Sequence, residues 1–320
     1  MIRPTTFGLR FAAATLALGS LLAGCGGGGA ADQRRSVPAS KAAASGAFPV
    51  TVESASGPVT LPDRPERIVS LSPTATESLF AVGAGAQVVA VDDQSSFPAQ
   101  APRTALSGFT PNVEAVAGYR PDLVVVSDDL GGIVAGLTKL GLPVLFQPAP
   151  TSLDQAWAQV TALGAATGHA PRAGELVADL TGRIATAAAS VPAEAKGLRV
   201  YHELDPTLYT ATSKAFIGQL EAALGLVNIA DGAAAKANLF PQLSAEYVVK
   251  AAPEVVVLAD TQCCQQNAKT FAARPGFGDL PAVRTGRILE VDDSVASRWG
   301  PRLAEFAEQL AALLARRPAG

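Results

Sequence analysis

The sequence predicts an α/β protein of two similar lobes with parallel sheets, joined by one long α-helix. Three observations carry this reading. Asn112–Val126 (NVEAVAGYRPDLVVV) and Ser244–Leu258 (SAEYVVKAAPEVVVL) align without a gap. Each runs Asn or Ser, one residue, Glu, a helical stretch, then Pro, an acid and a run rich in β-branched residues. That is a helix leading directly into a buried strand, written twice, as a duplicated lobe would require. Between the copies, Pro171–Val191 places Leu176, Leu180, Ile184 and Ala188 four apart, with Val177 beside them. This makes one apolar stripe against a charged reverse face, the mark of an amphipathic helix. Finally, strands alternate with helices along the chain, which implies parallel sheets covered by helices on both faces.

Composition agrees. A chain of 320 residues can bury two ordinary cores, and 48 % hydrophobic with 17 % charged residues is a globular balance. The net charge of −3 gives no reason to expect nucleic acid. At the N-terminus, Arg3 and Arg10 precede the apolar run Phe11–Ala23, which is too short to span a bilayer as a helix. It ends in Leu22-Ala23-Gly24-Cys25, which resembles the bacterial lipobox; signals of that kind are cut before the Cys, which then carries the lipid. Residues 1–24 thus read as a lipoprotein signal peptide, and Cys25 as the lipidated residue anchoring the chain to the outer face of the cell membrane. Residues 25–47, opening with four glycines, read as a flexible tether. The N-terminal lobe is expected over 48–168, the connecting helix over 169–192 and the C-terminal lobe over 193–317.

In order, Val50–Glu53 and Val59–Leu61 form a hairpin around Ser56-Gly57-Pro58. Arg67–Leu71 is a strand. Ser72 caps the next helix and Pro73 fits its first turn; that helix stops at Gly83. Val88–Val91 is a strand, followed after a polar loop by the first helix–strand copy. A helix over Gly132–Leu140 and a strand over Val144–Phe146 follow, and Ser152 with Gln155 makes a capping box. Pro171 suits the first turn of the long helix, and Pro192 and Gly197 close its far end. In the second lobe Leu198–His202 and Leu208–Thr210 are strands. Lys214–Leu224 is a helix ended by Gly225, and Glu254–Leu258 is the strand of the second copy. Ile288–Val291 is the last strand and Arg302–Leu314 the last helix.

Much catalytic chemistry is missing. No phosphate-binding GxxxxGK[ST] loop, dinucleotide fingerprint or G-x-S-x-G elbow occurs. His169 and His202 are the only histidines and fall in different parts of the chain, so no histidine-rich metal site is expected. His202 reads as a buried, hydrogen-bonded residue rather than as part of a triad. No enzyme, cofactor or metal is expected.

Ile68–Gly83 (IVSLSPTATESLFAVG), the repeated pair, and the closing run from Gly286-Arg287-Ile288 to Asp292-Asp293 resemble the vitamin B12 and ferric-siderophore binding proteins that feed bacterial ABC importers. The likeness spans about Val50 to Leu314. It implies the helical-backbone periplasmic-binding-protein fold, in which the lobes move little about their helix. It also implies a small-molecule ligand between the lobes and, as partners, an importer permease and its ATPase. That family docks on its permease through one acidic residue on each lobe; by position these map to Glu77 and Glu221. A monomer is expected.

Ligands of parallel sheets bind beyond the carboxyl ends of the strands. By strand-end position, the ligand-binding candidates are Asp93, Phe97, Phe109, Ser127, Asp128, Tyr201, Tyr209, Phe240, Asp260, Gln262, Cys263, Cys264, Arg298 and Trp299. This set is polar and aromatic, with one arginine. An anionic ferric siderophore would prefer a basic pocket, and haem would want a His or Tyr ligand. An amide-rich corrinoid suits polar loops and flat aromatic walls, which favours cobalamin; Trp299 is the expected stacking residue. A siderophore or haem carrier, a stand-alone surface enzyme and a sensor are the alternatives. Cys263 and Cys264 are adjacent in an oxidising compartment, and the expectation is a vicinal disulfide, with a pair of free thiols or a soft-metal contact as the alternatives.

Overall fold

The computed structural model describes residues 48–233 and 238–316. The expected signal segment, the tether with Cys25, and residue 317 lie outside them. An antiparallel hairpin, β1 (Val50–Val52) and β2 (Val59–Leu61), leads into the first lobe. There β3 (Ile68–Leu71) is followed by α1 (Pro73–Ala81), β4 (Val88–Val91), α2 (Val113–Ala117), β5 (Leu123–Val126), α3 (Ile133–Lys139) and β6 (Val144–Phe146). Helix α4 (Leu153–Ala166) returns the chain to the long helix α5 (Ala170–Ser190).

The second lobe runs β7 (Arg199–Glu203), α6 (Phe216–Ala223), β8 (Val227–Asn228), α7 (Ala245–Ala251) and β9 (Val255–Leu258). It closes with α8 (Ala268–Ala272), α9 (Pro281–Thr285), β10 (Ile288–Glu290), α10 (Asp293–Ala296) and α11 (Leu303–Leu314). Both sheets are parallel, ordered β4-β3-β5-β6 and β8-β7-β9-β10, which is one topology used twice. The duplication extends to side chains. Arg67 gives its guanidinium to the Tyr119 and Arg120 carbonyls, and its own N–H to Asp122, 55 residues on. Arg199 does the same with the Ala251 and Ala252 carbonyls and Glu254, again 55 residues on.

The strands are apolar on both faces because both faces are covered. In β5, Leu123 and Val125 join one large core while Val124 and Val126 join another; in β9, Val255 and Val257 split from Val256 and Leu258 in the same way. The inner faces of both sheets, α5 and α11 share a single core, and each lobe has its own outer core. One core running through both lobes and the strut resists relative lobe motion.

The cap of α1 by Ser72, with Pro73 in the first turn, forms as expected. Ser152 caps α4, but the Gln155 side chain turns to the Thr151 N–H, so the reciprocal half of the capping box is absent. On α5 the buried positions are Ala173, Leu176, Leu180, Ile184 and Ala187, and Ala188 is only half-buried. A strict spacing of four drifts off a helix of 3.6 residues per turn, so the stripe steps back to 187. The expected strand Leu208–Thr210 does not form. Leu208 has a left-handed backbone (φ 71°), and only an isolated bridge joins Tyr209 to Gln242. Among the described residues, no helix is long and apolar enough to cross a membrane.

Candidate functional site

With strand order 2-1-3-4 in each lobe, the chain leaves its first strand in opposite directions at β3/β5 and at β7/β9. Crevices open beyond the carboxyl ends at such switch points. The two lobes meet there. A recess of about 470 Å3 is lined by Ser96 of the first lobe and by Gln262, Asp292, Asp293, Ser294, Ser297 and Arg298 of the second. A larger groove of about 540 Å3 between α5 and α11 has no strand-end residue in its lining.

The recess is held by specific bonds. Arg298 donates from Nη1 to Glu77 Oε1 (3.1 Å) and from Nη2 to the Gln94 carbonyl (3.1 Å). Arg302, four residues on, forks onto the same carboxylate from Nε (2.9 Å) and Nη2 (2.5 Å). Its guanidinium lies 4.4 Å from the centre of the Phe97 ring. Asp293 accepts the backbone N–H groups of Gln262 and Cys263, tying that loop to the start of α10. Asp292 caps α10 through Ser294. Burial works against the Asp292 charge, but the Ser294 bonds and the fields of Arg302 and Arg298 outweigh it, so its pKa is lowered. In the first lobe, the Gly108 N–H followed by the Gln94 amide lowers that of Asp93.

Of the expected ligand residues, Phe97, Gln262 and Arg298 come together at this recess or its edge. Ser127 bonds Asp128 at the end of β5. Phe109, Tyr209 and Phe240 are exposed on strand-end loops but do not line the recess. The sulfurs of Cys263 and Cys264 are in bonding contact, with Cα atoms 3.8 Å apart.

Four expectations are corrected. Tyr201 is fully buried in the outer core of the second lobe, because the alternation along β7 turns it away from the cleft. Asp260 is fully buried as well, at the end of β9 beside Glu203, which Arg274 clamps through two bonds. Burial, then the neighbouring Glu203 charge, raises the Asp260 pKa to about 7. Trp299 packs against the shared core: its Nε1–H donates to Gln159 Oε1 (2.7 Å), and its ring meets Phe216 edge-on. Its polar end is satisfied inside the protein, so it offers no free stacking wall.

The fourth correction concerns Glu77 and Glu221. Docking needs an exposed charge, and both carboxylates are buried. Glu77 is held by the two arginines. Glu221 accepts from Asn228 Nδ2 (3.2 Å) and lies 2.7 Å from His202 Nδ1. His202 is accordingly buried and hydrogen-bonded, with its ring edge against Phe306. Arg302 escaped the strand-end rule because it begins a helix. It stands at the N-terminus of α11, past the irregular segment after α10, and no strand-end pattern marks that position.

Among the described residues, no group of three or more His, Cys, Asp or Glu could hold a metal ion. A family model described as periplasmic binding protein matches residues 68–295. The chain belongs to the periplasmic binding protein family. An uncharacterised ABC transporter substrate-binding lipoprotein, YvrC of Bacillus subtilis, is 31 % identical over 93 % of this chain and 94 % of its own length. A cobalamin-binding protein of Halobacterium salinarum is 32 % identical over 81 % of this chain and 72 % of its own. Among solved structures, the periplasmic haem-binding protein RhuT of Roseiflexus superposes with a TM-score of 0.67 at 26 % identity, over 78 % of this chain and 97 % of that one. This binding protein is therefore an extracytoplasmic solute carrier by family, and not an enzyme.

Proposed function

We propose that the protein is lipid-anchored through Cys25, captures a cobalamin-like corrinoid between its lobes and delivers it to an ABC importer permease driven by its ATPase. The relative named as cobalamin-binding supports the ligand. The observation that carries the reading is the recess itself. It sits at the carboxyl ends of both sheets and offers hydroxyls, an amide and carboxylates, with its one lining arginine already engaged. Such a surface suits a large polar ligand that hydrogen-bonds through amides. Haem is the second reading, on the likeness to RhuT and the exposed Tyr209 phenol.

Calorimetric titration of the full chain in detergent tests the choice, with cyanocobalamin, haem and a ferric hydroxamate siderophore run in parallel. One-to-one binding of cyanocobalamin is the expected result; heat with haem alone would transfer the cargo. Cys25→Ala is expected to move the protein from the detergent phase to the aqueous phase on phase partition. Equal partition of the two proteins removes the anchor. Cys263 and Cys264 pair as a disulfide at the cleft edge in this reading. Thiol titration of the oxidised, denatured protein is then expected to find neither of them free.

A further inference from the structure

At the recess and in the protein beneath it, charge balances. Arg298 and Arg302 contribute two positive charges. Glu77 accepts from both, and Asp292 faces both. Side-chain exposure is 1 % for Glu77, 20 % for Arg298 and 12 % for Arg302, so this ion triad is largely desolvated. Further arginine donors are committed as well, Arg298 to the Gln94 carbonyl and Arg302 to Ser294 Oγ (2.8 Å), with the Arg302 guanidinium face on Phe97. The bonds cross between lobes. Glu77, Gln94 and Phe97 belong to the first lobe, and both arginines to the segment between α10 and α11. Asp293 also lines the recess, and it accepts the Gln262 and Cys263 N–H groups and the Thr261 hydroxyl rather than a cation.

We propose that Glu77 is an internal counter-ion that occupies the arginine fork a ligand carboxylate or phosphate would otherwise take. It thereby sets the cleft to accept electroneutral ligands and reject anionic ones, and it fastens the first lobe to the second. The physical ground is that an arginine fork recognises one carboxylate bidentately, and here that carboxylate is built into the chain. An anionic ligand would have to displace a buried partner and leave its charge unpaired, which is costly in a desolvated site. An uncharged ligand meets no such opposition. Such a site separates ligands by repulsion as much as by attraction. The proposal deepens the reading above, resting on the inter-lobe cleft as the ligand site but not on cobalamin as the cargo.

The test is Glu77→Gln, which keeps the shape and removes the charge, with ferric citrate as an anionic probe and cyanocobalamin as a neutral one. The full chain is titrated in detergent at low salt. The variant is expected to bind ferric citrate about ten-fold or more tightly than the wild type, consistent with the strength of charge-assisted bonds. Asp179→Asn, on the exposed face of α5, changes net charge equally and is expected to leave citrate affinity unchanged. Adding Arg298→Gln and Arg302→Gln to Glu77→Gln is expected to erase the gain.

No gain for Glu77→Gln, an equal gain for Asp179→Asn, or a gain that survives loss of both arginines overturns the proposal. Should Glu77→Gln not fold, the exposed Asp292→Asn removes the other counter-charge. It is expected to raise citrate affinity about three-fold, on the same electrostatic ground; no rise overturns the proposal. Failure of the wild type to bind cyanocobalamin would revise the cargo, while the citrate comparison is read independently.

Discussion

At its strand ends the first lobe buries hydroxyls, whereas the second buries carboxyls. Thr76 Oγ1 donates to Ser70 Oγ (2.9 Å) and lies 3.0 Å from Ser95 Oγ, and Ser72 caps α1. In the second lobe His202 stands where Ser70 does, and on the other face of the sheet, in the place of Leu71, Glu203 packs beside Asp260 under Arg274, with the Tyr201 phenol donating to Glu203. The first-helix glutamates differ in the same way. Glu77 is satisfied by the other lobe, and Glu221 by its own. Backbone topology and the Arg67/Asp122 and Arg199/Glu254 ties are common to both. Those groups hold a strand against its neighbouring helix, whereas residues past the strand ends take part in no ladder and are free to diverge.

The largest expected effect separates the two glutamates. Glu221→Ala leaves His202 and Asn228 without their buried partner and should cost about 3–5 kcal/mol in urea unfolding. Glu77→Ala should cost about 2 kcal/mol, because its arginines are partly exposed and can regain water. Equal losses would break the contrast between a partner inside the lobe and one across the cleft.

Next comes Gly218→Ala in α6. The new Cβ would lie 2.7 Å from Ser213 Cα and closer still to the Thr212 carbonyl. Because backbone must move, a loss of about 1–3 kcal/mol is expected. Wild-type stability would show that the loop before α6 yields, unlike the tight Ser72 entry to α1.

The buried carboxyls of the second lobe also predict a pH effect. The Asp260 pKa rises from 3.8 to about 7, by burial first and by Glu203 second. Between these values the folded state holds a proton that the unfolded chain has released. Stability should therefore fall as pH rises across that window and level off above it. Burial also raises the pKa of Asp92 in the first lobe. Asp260→Asn should flatten most of the slope and leave the Asp92 part; an unchanged slope would remove the paired carboxyls from the explanation.

Much of the fold was legible because its causes are local. Val124 to Val126 and Val255 to Val257 are written as strands covered on both faces, Ser72-Pro73 as a helix start, and Leu176, Leu180 and Ile184 as a stripe. The site was less legible. Strand-end position marked Phe97, Gln262 and Arg298, which the fold brings to the recess or its edge. It could not say that Tyr201 and Asp260 point away, since that depends on which sheet face the outer helices cover. Nor could it place Trp299, whose fate is set by Gln159, 140 residues earlier.

The sequence by itself determined the two lobes, the strut and the family, because periodicity, caps and a repeated helix–strand unit act over a few residues. Only the tertiary structure decided what Glu77 and Glu221 do. A glutamate in a helix looks the same whether it faces water, a histidine of its own sheet or two arginines of another lobe. Its charge acquires a role only when distant parts of the chain bring, or fail to bring, a partner into a site with no water to take its place.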